Sequence, residues 1–435
     1  MIWWAGVILL LLVAIVFDLG LLAYAMYVLL AVMLVSRFLT RRWTESLSAR
    51  RECNRLAAEI GDNVAVAITL QNTGGLPIPW VLLEDLLPRE ALLYDPPRLK
   101  VTGRRVNLSM LKGRARKSIL YQLTPTRRGY YQIGPLVMET GDLFGLHRRY
   151  RVATEPQFLM VMPKVIPLAG YEVSSKRPIG EVRMSYRLYE DPTRISGVRA
   201  YERGDPLNRV HWRATARTGQ LHSKVYEPST VAGATILLEF HTAAHDPRHE
   251  PHRSELAVTA AASIANAVYL LGQQIGLVTN GRDAADRIRQ EGWAHDHRSR
   301  AQALAAAAVR DRSDRLQPLV VETRRGPAQL VRILETLARV ELTDGLTLPQ
   351  LIEETASRMP RDATVIAILP GSSQQSALVL GMLRRRGFAV TAILNLFETY
   401  DFADAAAPFL AERIEVRQLR DEQSIVEICR SYALR

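Results

Sequence analysis

A chain of 435 residues, 48% of them hydrophobic, exceeds one ordinary domain, and two soluble domains plus a further segment are expected. Its formal net charge of +12 comes from arginines spread along the chain rather than from a tail, which favours acidic partners or an anionic membrane surface and leaves the fold open. With only Cys53 and Cys429 present, a disulfide framework and a cysteine metal motif are both excluded.

Residues 2–17 are apolar and uncharged, Asp18-Leu19-Gly20 interrupts, and a second apolar run covers 21–35. No basic residue precedes the first run, which argues against a secretory signal. The combined length predicts two slightly short spanning helices that turn at Asp18-Gly20, a transmembrane hairpin over residues 1–40. Trp3, Trp4 and Trp43 occupy positions where aromatic residues mark a membrane interface, and Arg37, Arg41, Arg42, Arg50 and Arg51 follow the second run. By the positive-inside rule this cluster places the remainder of the chain in the cytoplasm.

Residues 41–165 read as short strands between turns. Val64, Val66, Ile68 and Leu70 alternate with smaller or polar residues, Asn72-Thr-Gly-Gly75 is a turn, and strands are predicted around 80–83, 118–123, 129–133, 136–139 and 158–162. Regular short strands punctuated by Gly and Pro predict a β-sandwich. Residues 166–230 form a connector, irregular at first and rich in Pro and Gly. From 231 to 435 the period changes. Buried strands are predicted at 234–240, 275–280, 364–369 and 388–394, and helices at 254–271, 329–340, 348–358 and 374–386. This alternation predicts an α/β domain with a parallel sheet covered on both faces.

The densest pattern lies in residues 197–228. Gly204-Asp205-Pro206 predicts a turn into a helix, with Asp205 as cap and Pro206 at its first position. Gly219 is expected to end that helix, and a short strand follows. Arg209, Arg213 and Arg217 recur every fourth residue, so three guanidiniums share one face and repel each other. An anion is therefore expected opposite them. Glu202, Asp205 and Glu227 are the internal candidates, and a phosphate, a lipid headgroup or an acidic partner is the external one. The internal ion-pair network is the reading preferred for Arg213, with Trp212 packed on a domain core.

Gly197-Val-Arg-Ala-Tyr-Glu-Arg-Gly-Asp-Pro206, Val210-His-Trp-Arg-Ala-Thr-Ala-Arg-Thr-Gly219 and Lys224-Val-Tyr-Glu227 resemble the signature of the bacterial "domain of unknown function 58" family. Arg127-Arg-Gly-Tyr-Tyr-Gln-Ile-Gly-Pro135 and Asp142-Leu-Phe-Gly-Leu146 resemble the segment preceding that signature. The resemblance covers about residues 50–435 and brings no known reaction. It implies a von Willebrand factor A-like α/β domain and association with a MoxR-type AAA+ ATPase. It also makes Tyr201, Glu202, Gly204, Asp205, Arg209, His211, Trp212, Arg213, Arg217, Lys224 and Glu227 the signature residues available for partner binding.

Domains of the von Willebrand A type hold a divalent ion through an Asp-x-Ser-x-Ser motif after the first strand. Here the matching stretch is Glu239-Phe-His-Thr-Ala243, and the later strand ends Leu369-Pro-Gly-Ser372, with Thr343 or Thr347 as the middle threonine. With most oxygen ligands missing, loss of the metal is expected. His241, His245 and His249 are weak imidazole candidates, because Pro247 and Pro251 break any helix that would align them and predict a solvated loop. No Gly-rich phosphate loop is present, and no cofactor is expected.

The function expected from these features is a non-catalytic, membrane-anchored cytoplasmic scaffold or adaptor. It sits at the inner leaflet of the bacterial plasma membrane and partners a MoxR-type ATPase in assembly or maturation of envelope complexes. The alternatives are a membrane-bound enzyme centred on Glu202, Asp205, His211 and Arg213, or anion or nucleic-acid binding by the arginine face. Nucleic acid is the weakest of these, since few aromatic residues are interleaved with the basic ones.

Overall fold

The computed structural model describes residues 2–433 except 94–95, 146, 168–189, 203–209, 229–232, 292–315 and 362. The chain divides into two compact units, Met1–Pro163 with Ala284–Ser313, and Lys164–Asp283 with Asp314–Arg435.

The first unit begins with helices α1 (Ile2–Val16) and α2 (Gly20–Ser46), which lie against each other across a turn where Asp18 takes a left-handed φ of +55°. Among the described residues α2 alone is long and apolar enough to cross a membrane, with a mean hydropathy of 2.0 over 18 residues; the apolar part of α1, Ala5–Val16, is shorter. α2 does not stop at the arginines. It runs through Arg37, Arg41 and Arg42 to Ser46, and strand β1 starts at the next residue. Its buried residues Met33, Ser36, Thr40 and Trp43 recur at helical spacing and form one stripe. Trp43 is therefore not an interface marker, because it is 8% exposed and packs into the core of this unit with Leu47 and Ile68.

The strands follow in order: β1 (Leu47–Cys53), β2 (Ala57–Ala58), β3 (Val64–Asn72), β4 (Ile78–Asp85), then after the short helix α3 (Arg89–Leu93) β5 (Leu99–Gly103), β6 (Val106–Leu111), β7 (Arg116–Pro125), β8 (Gly129–Ile133), β9 (Leu136–Gly141), β10 (Arg148–Thr154) and β11 (Gln157–Val161). They form sheets β1-β3-β7-β5, β10-β9-β4-β6 and β2-β11-β8. The predicted alternation in β3 holds residue by residue, with Val64, Val66, Ile68 and Leu70 fully buried and Ala65, Ala67, Thr69 and Gln71 half-exposed. These side chains share one core with Val81 and Leu83 of β4 and Met138 of β9, so the two four-stranded antiparallel sheets enclose common apolar material. An ion pair ties the two sheets inside. The Arg51 guanidinium lies 2.7 Å from one Asp85 oxygen, and the Tyr121 hydroxyl donates to the other at 2.7 Å.

In the second unit a two-stranded antiparallel ladder joins β12 (Glu190–Ala200) and β13 (His222–Pro228), with helix α4 (Trp212–Thr218) between them in sequence. The remainder comprises β14 (Gly233–Leu238), helix α5 (His252–Leu270), β15 (Gln274–Thr279), β16 (Arg282–Asp283), β17 (Leu319–Arg324), β18 (Val340–Glu341), β19 (Ala363–Leu369), β20 (Ala389–Leu394) and β21 (Glu415–Gln418). Further helices span Pro327–Arg339, Leu348–Thr355, Gln374–Arg385, Thr399–Ala411 and Glu422–Ala433. The main sheet has the order β17-β15-β14-β19-β20-β21. It is mixed rather than wholly parallel, because β17 runs antiparallel to β15. Its two faces are covered by separate cores, one built on Ile236, Leu238 and the alanine-rich α5, the other on Leu237, Val365 and Phe409. Alternate residues of β14 thus enter opposite cores, as a strand buried on both faces requires. Residues 168–189, 203–209 and 229–230 of the predicted connector lie outside the described residues.

Candidate functional site

Two places collect the residues singled out by the sequence. The first is the ladder of β12 and β13 with α4. Val198 pairs with Lys224, Arg199 with Ser223 and Ala200 with His222. His211 caps α4, accepting the Ala214 N–H on Nδ1 at 3.0 Å, and its own N–H donates to the His222 carbonyl at 2.8 Å. The Thr215 hydroxyl accepts the His222 N–H at 3.1 Å. Gly219 ends the helix in the left-handed conformation, φ +73°, as its sequence position predicts. Small residues of α4 therefore face the ladder, and among the described residues there Val210 and Ser223 are buried.

What faces outward corrects the sequence reading. Trp212 is 68% exposed and is not packed on a domain core. Arg213 and Arg217 are exposed, and neither makes an ion pair among the described residues. Among the described residues the internal network preferred for Arg213 is not seen: α4 is only seven residues long and lies on its ladder through Ala214 and Thr215, which leaves Arg213 and Arg217 exposed. Glu202 pairs instead with Arg199 at 3.5 Å, with both side chains well exposed. Tyr201 donates its N–H to the Leu221 carbonyl at 2.9 Å, and Lys224 is half-exposed. Gly204, Asp205, Pro206 and Arg209, and with them the expected Asp205 cap, lie outside the described residues, as does the side chain of Glu227.

The second place is the crevice at the carboxyl ends of β14 and β19, where the strand order reverses, the position at which open α/β sheets bind ligands. Glu239 follows β14, and its N–H donates to the Ile368 carbonyl at 3.1 Å. Its side chain is buried, and burial pushes the carboxyl up to about 7, opposed in part by nearby His245. His245 is also buried. Its Nδ1 lies 2.7 Å from a Glu250 oxygen, its Nε2 3.3 Å from the Glu239 carbonyl, and its ring meets Phe240 edge-on. Burial works against ionisation of Glu250, yet hydrogen bonds from His245 and Ser254 leave its carboxyl below the ordinary range.

The histidine loop is thus ordered rather than solvated, because Asp246 caps a short 3-10 turn that Pro247 begins and His245 is drawn into the core. Each histidine has a separate local role. His241 Nδ1 accepts the Ala243 N–H at 3.2 Å, and His249 meets Phe397 edge-on. Among the described residues no group of three or more His, Cys, Asp or Glu is placed to hold a metal. The threonine in register with this loop is Thr343, whose carbonyl accepts from Thr242 N–H at 2.7 Å, whereas Thr347 forms a capping box with Gln350. The donor set does not fit a hard divalent cation, which needs a compact shell of several oxygens: it offers the Glu239 carboxyl, whose ionisation burial disfavours, and a Thr343 hydroxyl already accepting from Gly345.

Residues 197–347 match the family model "Protein of unknown function DUF58". The chain is also 26% identical over 301 residues to the uncharacterized protein YeaD of Bacillus subtilis (strain 168), covering 67% of this chain and 72% of that one. The chain therefore resembles the DUF58 family, and the family model itself matches residues 197–347. Among solved structures, the SpRpn10 VWA domain matches with 11% identity and a TM-score of 0.30, over 47% of this chain and 96% of that domain. The CARDB domain of the Pyrococcus furiosus PF1109 protein matches with 13% identity and a TM-score of 0.20, over 26% and 91%. The DUF58 match begins at Gly197, within β12, and ends at residue 347, so it contains the exposed arginine helix and the Glu239–Glu250 side of the crevice but not β19.

Proposed function

We propose that this protein is a non-catalytic scaffold or adaptor anchored in the bacterial plasma membrane, and that its signature docks an acidic partner surface. In this reading α1 and α2 form a transmembrane hairpin, the first unit is a β-sandwich, the second is von Willebrand A-like, and both face the cytoplasm. The family resemblance makes a MoxR-type AAA+ ATPase the partner and assembly or maturation of envelope complexes the setting. The observation that carries the reading is the exposure of Trp212, Arg213 and Arg217 on one short helix. Tryptophan and arginine dominate the energetics of protein interfaces, and two exposed guanidiniums four residues apart, without an ion pair among the described residues, ask for an acidic counterpart.

The test is affinity capture of the tagged full chain from gently solubilised membranes. The reading expects the ATPase to co-purify with the parent and to be lost with Arg213→Ala combined with Arg217→Ala. Equal recovery of the ATPase with both would contradict it.

A further inference from the structure

The segment Asp142-Leu-Phe-Gly-Leu146 resembles the stretch that precedes the family signature and has no part in the proposed docking. Its residues 142–145 lie at the tip between β9 and β10. Asp142 is fixed on several sides. Its carboxylate accepts from the Ser36 hydroxyl of α2 and from the His147 N–H at 3.1 Å, while its carbonyl accepts from the Trp80 indole at 3.1 Å. Ser36 and Asp142 are both buried. Ser36, Asp142 and His147 do not make a nucleophile relay. His147 faces both partners through Nδ1, 3.1 Å from Ser36 Oγ and 3.7 Å from Asp142 Oδ2, whereas a catalytic imidazole joins nucleophile and carboxylate through its two nitrogens. The serine proton points to the carboxylate, so the cluster ties helix to hairpin.

What the tie positions is apolar and outward-facing. Leu143 is 76% exposed and Phe144 is 73% exposed. Ser36 is the first residue after the apolar run 21–35, and Arg37, Arg41 and Arg42 follow it. At 1.5 Å per residue the apolar run of α2 is about 22 Å long, under the ~30 Å of a bilayer's hydrocarbon. A helix this short draws its flanking residues toward the lipid. The tip tied to Ser36 is drawn with them. Arg148 and Arg149, both exposed, follow the tip and place positive charge beside the apolar pair.

We propose that the tip between β9 and β10 is a lipid-contacting element, with Leu143 and Phe144 in the interfacial region of an anionic phospholipid bilayer and Arg148 and Arg149 over its headgroups. This rests on the reading of α2 as a membrane span, and the experiment separates the two. The full chain carrying Cys53→Ser and Cys429→Ser receives a single environment-sensitive fluorophore at Leu143→Cys, or at Val28→Cys within α2. It is reconstituted in phosphatidylglycerol-containing vesicles with and without nitroxide-labelled lipid. Both labels are expected to be blue-shifted and quenched by the nitroxide, and quenching at Leu143→Cys is expected to weaken when Arg148→Glu and Arg149→Glu are added. Quenching at Val28→Cys alone, with water-like emission at Leu143→Cys, overturns the tip and leaves the span. A blue shift at Leu143→Cys without nitroxide quenching assigns the tip to protein contact and overturns the proposal. Absence of quenching at both positions overturns the span and the tip together.

Discussion

Glu239 shows what a single buried group does to this protein. Its ordinary value of 4.5 rises to about 7 in the folded chain because burial disfavours the charged carboxylate, with His245 as a partial counterweight. The native state therefore holds a proton that the unfolded state has released. Stability is unaffected below the unfolded value, falls as pH rises between the two values, and has lost about 3 kcal/mol once both states are ionised. Glu239→Gln is predicted to melt close to the parent at about pH 4.5 and clearly above it at about pH 8. A constant difference between the two proteins across that range would show that Glu239 is solvated. The residue was legible as a departure from the metal motif. Its burial was not, since the groups around it, His245 and Ile368 among them, lie near it only after folding. The same holds for Thr343 against Thr347, which spacing left open and backbone pairing to the β14 loop decides.

At the scale of elements, regular strands and helices were legible wherever the pattern was long. The predicted strand at 364–369 matches β19, and the predicted helix at 374–386 matches Gln374–Arg385, because continuous apolar runs and helical stripes survive in any tertiary setting. The antiparallel course of β17 and the edge strand β21 were not read, since each carries little burial of its own. Trp43 was misread for a related reason: the arginines around it look like the end of a span, but α2 continues and its buried stripe rests in the first unit. The arginine helix α4 gives the prediction at this scale. Arg213→Ala is predicted to change stability by about 0–1 kcal/mol, as for exposed charges. Gly219→Val is predicted to cost more, about 1–2 kcal/mol, since φ is +73° there and a β-branched residue resists it. Thermal melting of the two full-length variants checks the order, and a larger loss for Arg213→Ala would restore it to an internal network.

For the whole molecule, the proposed role at a membrane draws together the positive charge, the apolar N-terminus and the exposed Trp212, Arg213 and Arg217. The buried Arg51 is matched by Asp85, and the buried His245 is hydrogen-bonded to Glu250, whereas Arg213 and Arg217 make no ion pair among the described residues. The sequence displayed those arginines plainly but could not say which way they face, because a seven-residue helix offers no apolar stripe to orient it. The most direct measurement replaces Trp212 with a photo-crosslinking phenylalanine analogue in the full chain and irradiates intact membranes. The account predicts an adduct that joins position 212 to the AAA+ ATPase and disappears when Arg213→Ala and Arg217→Ala are present. Adducts confined to this chain itself, formed equally with and without those two changes, would contradict it.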